Sequence, residues 1–273
     1  MATLKRLDAE LVRRKIVRSR EHAQNLIKEN RVFVQGILAT KPATQVSMEA
    51  SIRVEGEVSE DWASRGAHKL LGALSDFEPL GLSIEGKKVI DAGASTGGFT
   101  DVLLRRGAQE VVAVDVGYGQ LIWRLANDPK VTVVDRTNIR NLTEETCGGL
   151  CDMMVGDLSF ISLKLVLPAI ANCLKDGADL LPMVKPQFEV GKERLGTGGV
   201  VRSPALRAEV TAEVAAFAQD LGLSLKGVVA SPLPGPSGNV EYFLWLVKDG
   251  GATTLDPGQV QEMVAAAVAE GPQ

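Results

Sequence analysis

Histidine, cysteine and aromatic residues are all scarce in this 273-residue chain. Two histidines (His22, His68) and three cysteines (Cys147, Cys151, Cys173) are too few for a disulfide scaffold. The C-x-x-x-C pair has no further Cys or nearby His to complete a zinc set, so no metal is expected, and the three thiols read as buried and free. No apolar run approaches the roughly 18 residues of a membrane span. The opening segment, MATLKRLDAELVRRK, is charged where a secretory signal would be apolar. A cytoplasmic protein that does not act on membranes is therefore expected. Hydrophobic residues make up 45% and charged residues 23%, the balance of a globular chain with one large domain or two unequal ones.

Charge is unevenly spread. Residues 1–53 carry a net +6 and residues 54–273 a net −10. A basic head on an acidic body points the head at a polyanion. In the head, Leu7, Leu11 and Val12 repeat at helical spacing. Ser19 is placed to cap a second helix whose apolar face is Ala23, Leu26 and Ile27. Arg31–Val34, Val46 and Ile52–Val54 read as short strands, with a turn at Gln35-Gly36. Arg6, Arg13, Arg14, Lys15, Arg18, Arg20, Lys28 and Arg31 are the candidate phosphate contacts. By charge alone they read equally well as a solvated helix face. The pattern from Arg6 to Gly36, R-L-D-x-x-L-V followed by S-R-x-x-A-x-x-L-I and V-x-V-x-G, resembles the S4 RNA-binding domain, which implies recognition of structured RNA.

Residues 56–61, GEVSED, have no apolar period and mark a boundary. The expected organisation is a head over 1–58, a linker over 59–64 and a body over 65–273. From Lys87 the body alternates strand and helix patterns. Strands are expected at 88–91, 111–115, 131–135, 153–157, 180–185, 225–230 and 241–247, and helices notably at 162–174 and 204–221. This is an α/β doubly wound sheet. No helix pattern separates the last two strands, so that pair is expected to be antiparallel. The glycine segment after the first strand is D-x-G-x-x-x-G-G rather than the G-x-G-x-x-G of dinucleotide enzymes. Together with the antiparallel final pair, it resembles the Rossmann-like methyltransferases that use S-adenosylmethionine. The candidate cofactor residues are Asp91, Gly93, Ala94, Ser95, Thr96, Gly97, Gly98 and Phe99, with Asp115 for the ribose hydroxyls and Asp135 for the adenine amine.

The fourth strand bears on the methyl acceptor. Gly156-Asp157-Leu158-Ser159-Phe160 lacks the Pro-Pro-aromatic run of amino methyltransferases, and no cysteine sits where a cytosine C5 enzyme needs its nucleophile. Asp157 and Lys185 end parallel strands, and Glu241 starts the antiparallel one, so topology brings all three to one sheet edge. Lys69 in the helix before the first strand is a candidate fourth member.

At this point the resemblance becomes close. S-R-G-A-H-K-L at 64–70, D-A-G-A-S-T-G-G-F-T-D at 91–101, D-V-G-Y-G-Q-L at 115–121, G-D-L-S-F-I-S-L at 156–163, V-K-P-Q-F-E at 184–189 and G-N-V-E-Y at 238–242 resemble the TlyA family. These are S4-containing, FtsJ-like rRNA 2′-O-methyltransferases. The resemblance implies a catalytic tetrad of Lys69, Asp157, Lys185 and Glu241, S-adenosylmethionine as cofactor, and cytidine ribose in ribosomal RNA within ribosomal subunits as acceptor. The full-length head is similar to the branch that modifies both 16S and 23S rRNA and sensitises bacteria to capreomycin-type antibiotics. In the mechanism expected from these residues, Lys185 is the general base or its closest relay, Asp157 orients Lys185, and Glu241 orients Lys69 and the ribose. Arg65 joins the RNA-binding candidates. The family often has a basic residue about where Glu60 and Asp61 stand, a departure that bears on any contact assigned to the linker. The glycine-rich, basic segment 192–202 reads as an RNA-facing loop or as a plain connection. The competing readings are an S4-type ribosome-assembly factor with little catalysis, and a membrane-acting haemolysin. No obligate protein partner is expected.

Overall fold

A computed structural model describes residues 4–14, 16–17, 19–55, 62–196 and 198–272. The chain divides into two compact units, 1–62 and 63–273. The linker segment 56–61, and with it Glu60 and Asp61, lies outside the described residues.

In the first unit, β1 (Lys5–Arg6) leads into α1 (Leu7–Arg13), followed by α2 (Arg20–Lys28), β2 (Val32–Val34), β3 (Ile37–Leu38), β4 (Gln45–Val46) and β5 (Ile52–Val54). Ser19 caps α2 as expected, its hydroxyl accepting the His22 N–H at 3.1 Å. The core is Leu7, Leu11, Ala23, Leu26, Ile27, Val32 and Val46. The sequence reading has no counterpart for β1, which pairs antiparallel with β4 through two residues on each strand. So short a pairing leaves no alternation to read.

The second unit opens with α3 (Ala67–Phe77), β6 (Lys88–Ala92), α4 (Gly98–Arg105), β7 (Glu110–Val114), α5 (Trp123–Ala126) and β8 (Val131–Val134). It continues with β9 (Cys151–Gly156), α6 (Leu167–Asn172), β10 (Leu174–Val184), α7 (Pro186–Glu189), α8 (Pro204–Asp220), β11 (Leu223–Ala230), β12 (Tyr242–Lys248) and α9 (Pro257–Glu270). Its seven-stranded sheet has the order β11-β12-β10-β9-β6-β7-β8, with β12 antiparallel to both neighbours and every other pair parallel. Val89, Ile90, Asp91 and Ala92 of β6 are fully buried, the near-continuous burial of a parallel strand covered on both faces.

Two expectations shift. The helix expected over 162–174 is a short 3₁₀ turn, Leu163–Leu165, followed by α6, because Pro168 in the first turn of α6 has no N–H to continue the run. The fifth strand starts at Leu174 rather than Leu180. Lys175, Asp176 and Gly177 lie in an irregularity of the β9–β10 register between Leu174 and Asp179, with Gly177 at φ 82°.

The strand order reverses between β6 and β9. The chain runs outward through β7 and β8, then returns to build β9 and β10 on the other side of β6. In open α/β sheets the carboxyl ends of strands at such a reversal form a crevice. Because β12 runs the other way, its first residue reaches that same edge, opposite Val184 in register.

Candidate active site

Lys69, Asp157, Lys185 and Glu241 converge at this edge. The Ala92–Gly156 pairing of β6 with β9 sets Gly93 beside Asp157, whose N–H donates to the Ala92 carbonyl at 3.0 Å. Lys185 leaves the end of β10, and Glu241 precedes β12. Lys69, in the first turn of α3, donates to Glu241 Oε2 at 2.6 Å and to Asp157 Oδ2 at 3.5 Å. Lys185 Nζ forms an ion pair with Asp157 Oδ1 at 2.5 Å and donates to Ser159 Oγ at 2.7 Å. Two cations and two carboxylates thus alternate in one chain of contacts. The Lys69 and Lys185 side chains are each 7% exposed, Glu241 1% and Asp157 23%, so the opening to solvent is on the Asp157 side. A Cβ at Gly235 would stand 2.7 Å from Glu241 Oε1, so a larger residue there must displace that carboxylate.

The glycine segment lines a cavity of about 320 Å³ beside the four charged groups, walled by Gly93, Ser95, Gly98, Lys69, Asp157 and Lys185 among others. A second cavity of about 540 Å³ shares Gly93, Ser95, Asp157 and Ser159 with it and extends to Asp115, Val116, Asn138 and Ile139. Gly93 adopts φ 85°, and a Cβ there would lie 3.0 Å from the Asp157 carbonyl oxygen, so any other residue would be strained. Asp115 holds the crevice together: Oδ2 accepts the Ser95 N–H at 2.8 Å and Oδ1 the Gly117 N–H at 2.7 Å. Gly97, at the start of α4, offers no side-chain cap, and a helix start of this kind complements an anion. An elongated crevice with an uncapped helix start, a strand-end carboxylate and an apolar wall at Val116 and Ile139 fits a cofactor bearing an amino acid, a ribose and a purine.

The remaining candidates are less uniform. Asp135 accepts the Gly119 N–H at 2.8 Å, and the crevice wall at that depth is formed instead by Thr137, Asn138 and Ile139. Asp91 is fully buried beneath the glycine segment, where the Thr100 hydroxyl donates to its Oδ2 at 2.6 Å and its Oδ1 has no partner. Burial pushes the Asp91 carboxyl up to about 7, against the pull of Thr100. A native value above the unfolded one means the native state holds the extra proton, so this contribution to stability fades as pH rises toward 7. Asp91→Asn, which keeps the acceptor for Thr100, is expected to be stabilised relative to wild type more at pH 7 than at pH 5. Denaturant midpoints at the two pH values check this, and an equal difference at both contradicts it.

In the head, Asp8 accepts from Arg6 (2.9 Å) and Arg20 (3.1 Å), and Glu10 accepts from Arg13 (2.6 Å) and Arg14 (2.7 Å). Arg13 and Arg14 hold the Glu10 carboxyl down at about 2, and Arg6, against burial, with help from Arg20, holds Asp8 well below the usual carboxylate range. Arg6, Arg13 and Arg20 keep 44–57% of their side chains exposed. Arg14 does not: it is 22% exposed and donates to the Ser47, Met48 and Ala50 carbonyls, which ties α1 to the β4–β5 connection. Lys28 is exposed, and Arg31 donates to the Glu55 carbonyl and to Glu29. Lys15 and Arg18 lie outside the described residues. Arg65 is exposed on the rim of the glycine-lined cavity.

Three features of the site have no part in the sequence reading. Ser159 is bonded to Lys185, Ser64 lines the cavity over Gly98, and Phe160 is 90% exposed at φ 62° with its ring centroid 5.0 Å from that of Phe188. Phe160 and Phe188 line a larger cavity of about 950 Å³ that meets the first at Lys185 and Ser159. The available signal is position: both Ser159 and Phe160 follow a strand-end acid at the switch point. Cys147, Cys151 and Cys173 are free and buried.

The FtsJ-like methyltransferase family profile matches residues 62–248, and the S4 domain profile matches residues 5–52. The chain is 54% identical over 272 residues, all of both chains, to the Mycobacterium tuberculosis 16S/23S rRNA (cytidine-2′-O)-methyltransferase TlyA. The chain belongs to the S4-bearing TlyA family of FtsJ-like methyltransferases. A Campylobacter jejuni member, the 23S rRNA (cytidine-2′-O)-methyltransferase TlyA, is 34% identical over 70% of this chain and 73% of that one. A solved structure of a protein from Streptococcus thermophilus named as a hemolysin covers 99% of this chain and 98% of its own, at 38% identity and a TM-score of 0.74. Among the described residues no helix is long and apolar enough to cross a membrane. As an enzyme of this family the chain is a methyltransferase, and family and fold imply S-adenosylmethionine.

Proposed function

We propose that the protein methylates the 2′-oxygen of cytidine in ribosomal RNA of both subunits, using S-adenosylmethionine, and thereby sensitises its host to capreomycin-type antibiotics. The observation that carries the reading is the Lys69–Asp157–Lys185–Glu241 chain of contacts at the mouth of the crevice. A ribose hydroxyl is a poor nucleophile at neutral pH and must be held in line and relieved of its proton. The bound cofactor supplies a methyl group on a positively charged sulfur, which makes that methyl electrophilic. Lys185 in its amine form takes the 2′ proton as the oxygen attacks, and Asp157, 2.5 Å away, holds the resulting ammonium. Glu241 holds Lys69 beside Asp157, and this pair fixes the ribose edge. Gly93, Ala94, Ser95, Thr96, Gly97, Gly98 and Phe99 cradle the amino-acid part of the cofactor, with Asp91 supporting them from below. Asp115 takes the ribose hydroxyls, and Thr137, Asn138 and Ile139 border the adenine end, with Asp135 holding the Gly119 N–H outside that wall. The exposed ring of Phe160 suits an unstacked base in the larger cavity.

Arg6, Arg13, Arg20, Lys28, Arg31 and Arg65 serve RNA phosphates, and Lys15 and Arg18 join them on charge alone. Arg14, spent on carbonyls, contributes by shaping the head. The extension to both subunits follows the full-length relative, which is named for both RNAs. The test is transfer of radiolabelled methyl from S-adenosylmethionine to separate small and large subunits lacking the modification, with the labelled nucleotide then located. Label on a cytidine 2′-oxygen in each subunit is the expected result. Label on a base, or none on either subunit, refutes the reading.

A further inference from the structure

Ser159 borders all three cavities at the mouth of the crevice, and its hydroxyl accepts a hydrogen bond from Lys185 Nζ at 2.7 Å. A lysine nitrogen has three directions besides its carbon: three N–H bonds as an ammonium, two and a lone pair as an amine. Ser159 takes one of them, whereas Asp157 Oδ1 lies 2.5 Å away as an ion pair outside hydrogen-bond geometry. The side turned from both is left for a group in the crevice. We propose that Ser159 is a positioning residue which, with Asp157, aims the remaining direction of Lys185 at the methyl-accepting oxygen. The inference rests on the role given to Lys185 above.

Asp157 alone is a poor guide. It is shared with Lys69 at 3.5 Å, and an ion pair attracts without strongly fixing the angle, while the lysine stem has four rotatable carbons. A hydroxyl supplies direction. It also serves both protonation states, because an amine and an ammonium each have an N–H to give it. A second carboxylate would favour the ammonium and oppose proton uptake. Ser159 is itself held. Three and four residues on, the Ser162 hydroxyl and the Leu163 N–H donate to Glu189 at 2.6 and 2.7 Å, and Glu189 ends the short helix that follows Lys185. The loop carrying the hydroxyl is therefore tied to the segment carrying the amine.

Ser159 is exposed, so its substitution spares the core. Ser159→Ala and Ser159→Thr are compared with wild type as full-length proteins, by methyl transfer to ribosomal subunits and by NMR relaxation of the Lys185 Cε group, assigned from its loss in Lys185→Met. Ser159→Ala is expected to free the Lys185 side chain and to lower kcat by about tenfold to a hundredfold, with KM for RNA within about twofold. Ser159→Thr, which keeps the hydroxyl, is expected to restore both. Unchanged Lys185 mobility in Ser159→Ala overturns the proposal, as does mobility gained with no loss of kcat. If wild type transfers no methyl to either subunit while Ser159→Ala still frees Lys185, the rRNA reading fails and the positioning of Lys185 by Ser159 stands.

Discussion

Replacing Lys185 by Met is expected to lower kcat for methyl transfer by about 10²–10⁴-fold, the range for removal of a general base, while S-adenosylmethionine still binds. Lys185 is the tetrad cation with a direction left over, since Lys69 is drawn into the buried pair with Glu241. The loss should be in turnover more than in affinity, because the crevice walls that hold the cofactor, from Gly93 to Asp115, do not depend on the amine. Lys185→Arg is the sharper variant. It keeps the positive charge and still pairs with Asp157, but a guanidinium does not give up its proton in proteins and cannot accept the 2′ proton. If Lys185 acts as the base, Arg is as damaging as Met. If Lys185 acts only as a fixed positive charge, Arg retains most of the activity. Single-turnover methylation with cofactor affinity measured by calorimetry separates the two. Wild-type turnover in Lys185→Met removes Lys185 from the mechanism. The fold should tolerate the change, because Asp157 is 23% exposed and keeps Lys69 within 3.5 Å.

Much of this site was legible in the sequence because topology does most of the work. Once the seven strands were recognised from their β-branched runs and the last pair taken as antiparallel, the carboxyl ends of strands four and five and the start of strand seven had to share an edge. Asp157, Lys185 and Glu241 follow from that. Lys69 does not: a helix preceding the first strand can lie at many rotations, so the sequence offers it only as a candidate fourth member, and its place in a tetrad comes from the family resemblance. Ser159 and Phe160 were invisible for a different reason. Their roles depend on how the chain turns after Asp157, with Phe160 in the left-handed region, and neither hydropathy nor spacing encodes that turn. Charge counting in the head was too coarse in a similar way. Eight cations look alike in sequence, yet Arg14 is committed to three backbone carbonyls while Arg20 is more than half exposed. Asp91 sits in the glycine motif, but its carboxyl turns down to Thr100 rather than into the crevice. A strand-end residue alternates between faces, and the motif alone does not say which face the acid takes.

Lys69→Met should damage the fold as well as the reaction. Glu241 is 1% exposed, and Lys69 is its hydrogen-bond partner at 2.6 Å; its other oxygen is buried without a bond against Gly235. Removing the cation strands a carboxylate that is 1% exposed. The penalty for breaking one side of a buried ion pair is about 3–5 kcal/mol, a fall in Tm of about 6–20 °C for a unit of this size. Lys69→Met combined with Glu241→Gln removes the charge along with its partner. The double variant should recover more than half of the lost stability, because the isosteric amide fits the space left beside Gly235. It should recover none of the activity, because the pair that steadies Asp157 and the ribose edge is gone. Thermal melts of the three proteins, run beside methyl transfer, check both halves. Equal stability of Lys69→Met and wild type would mean that solvent reaches Glu241 and that the pair has a purely catalytic role. Recovery of activity in the double variant would mean the reverse, with Lys69 and Glu241 serving the fold and the chemistry resting on Asp157 and Lys185.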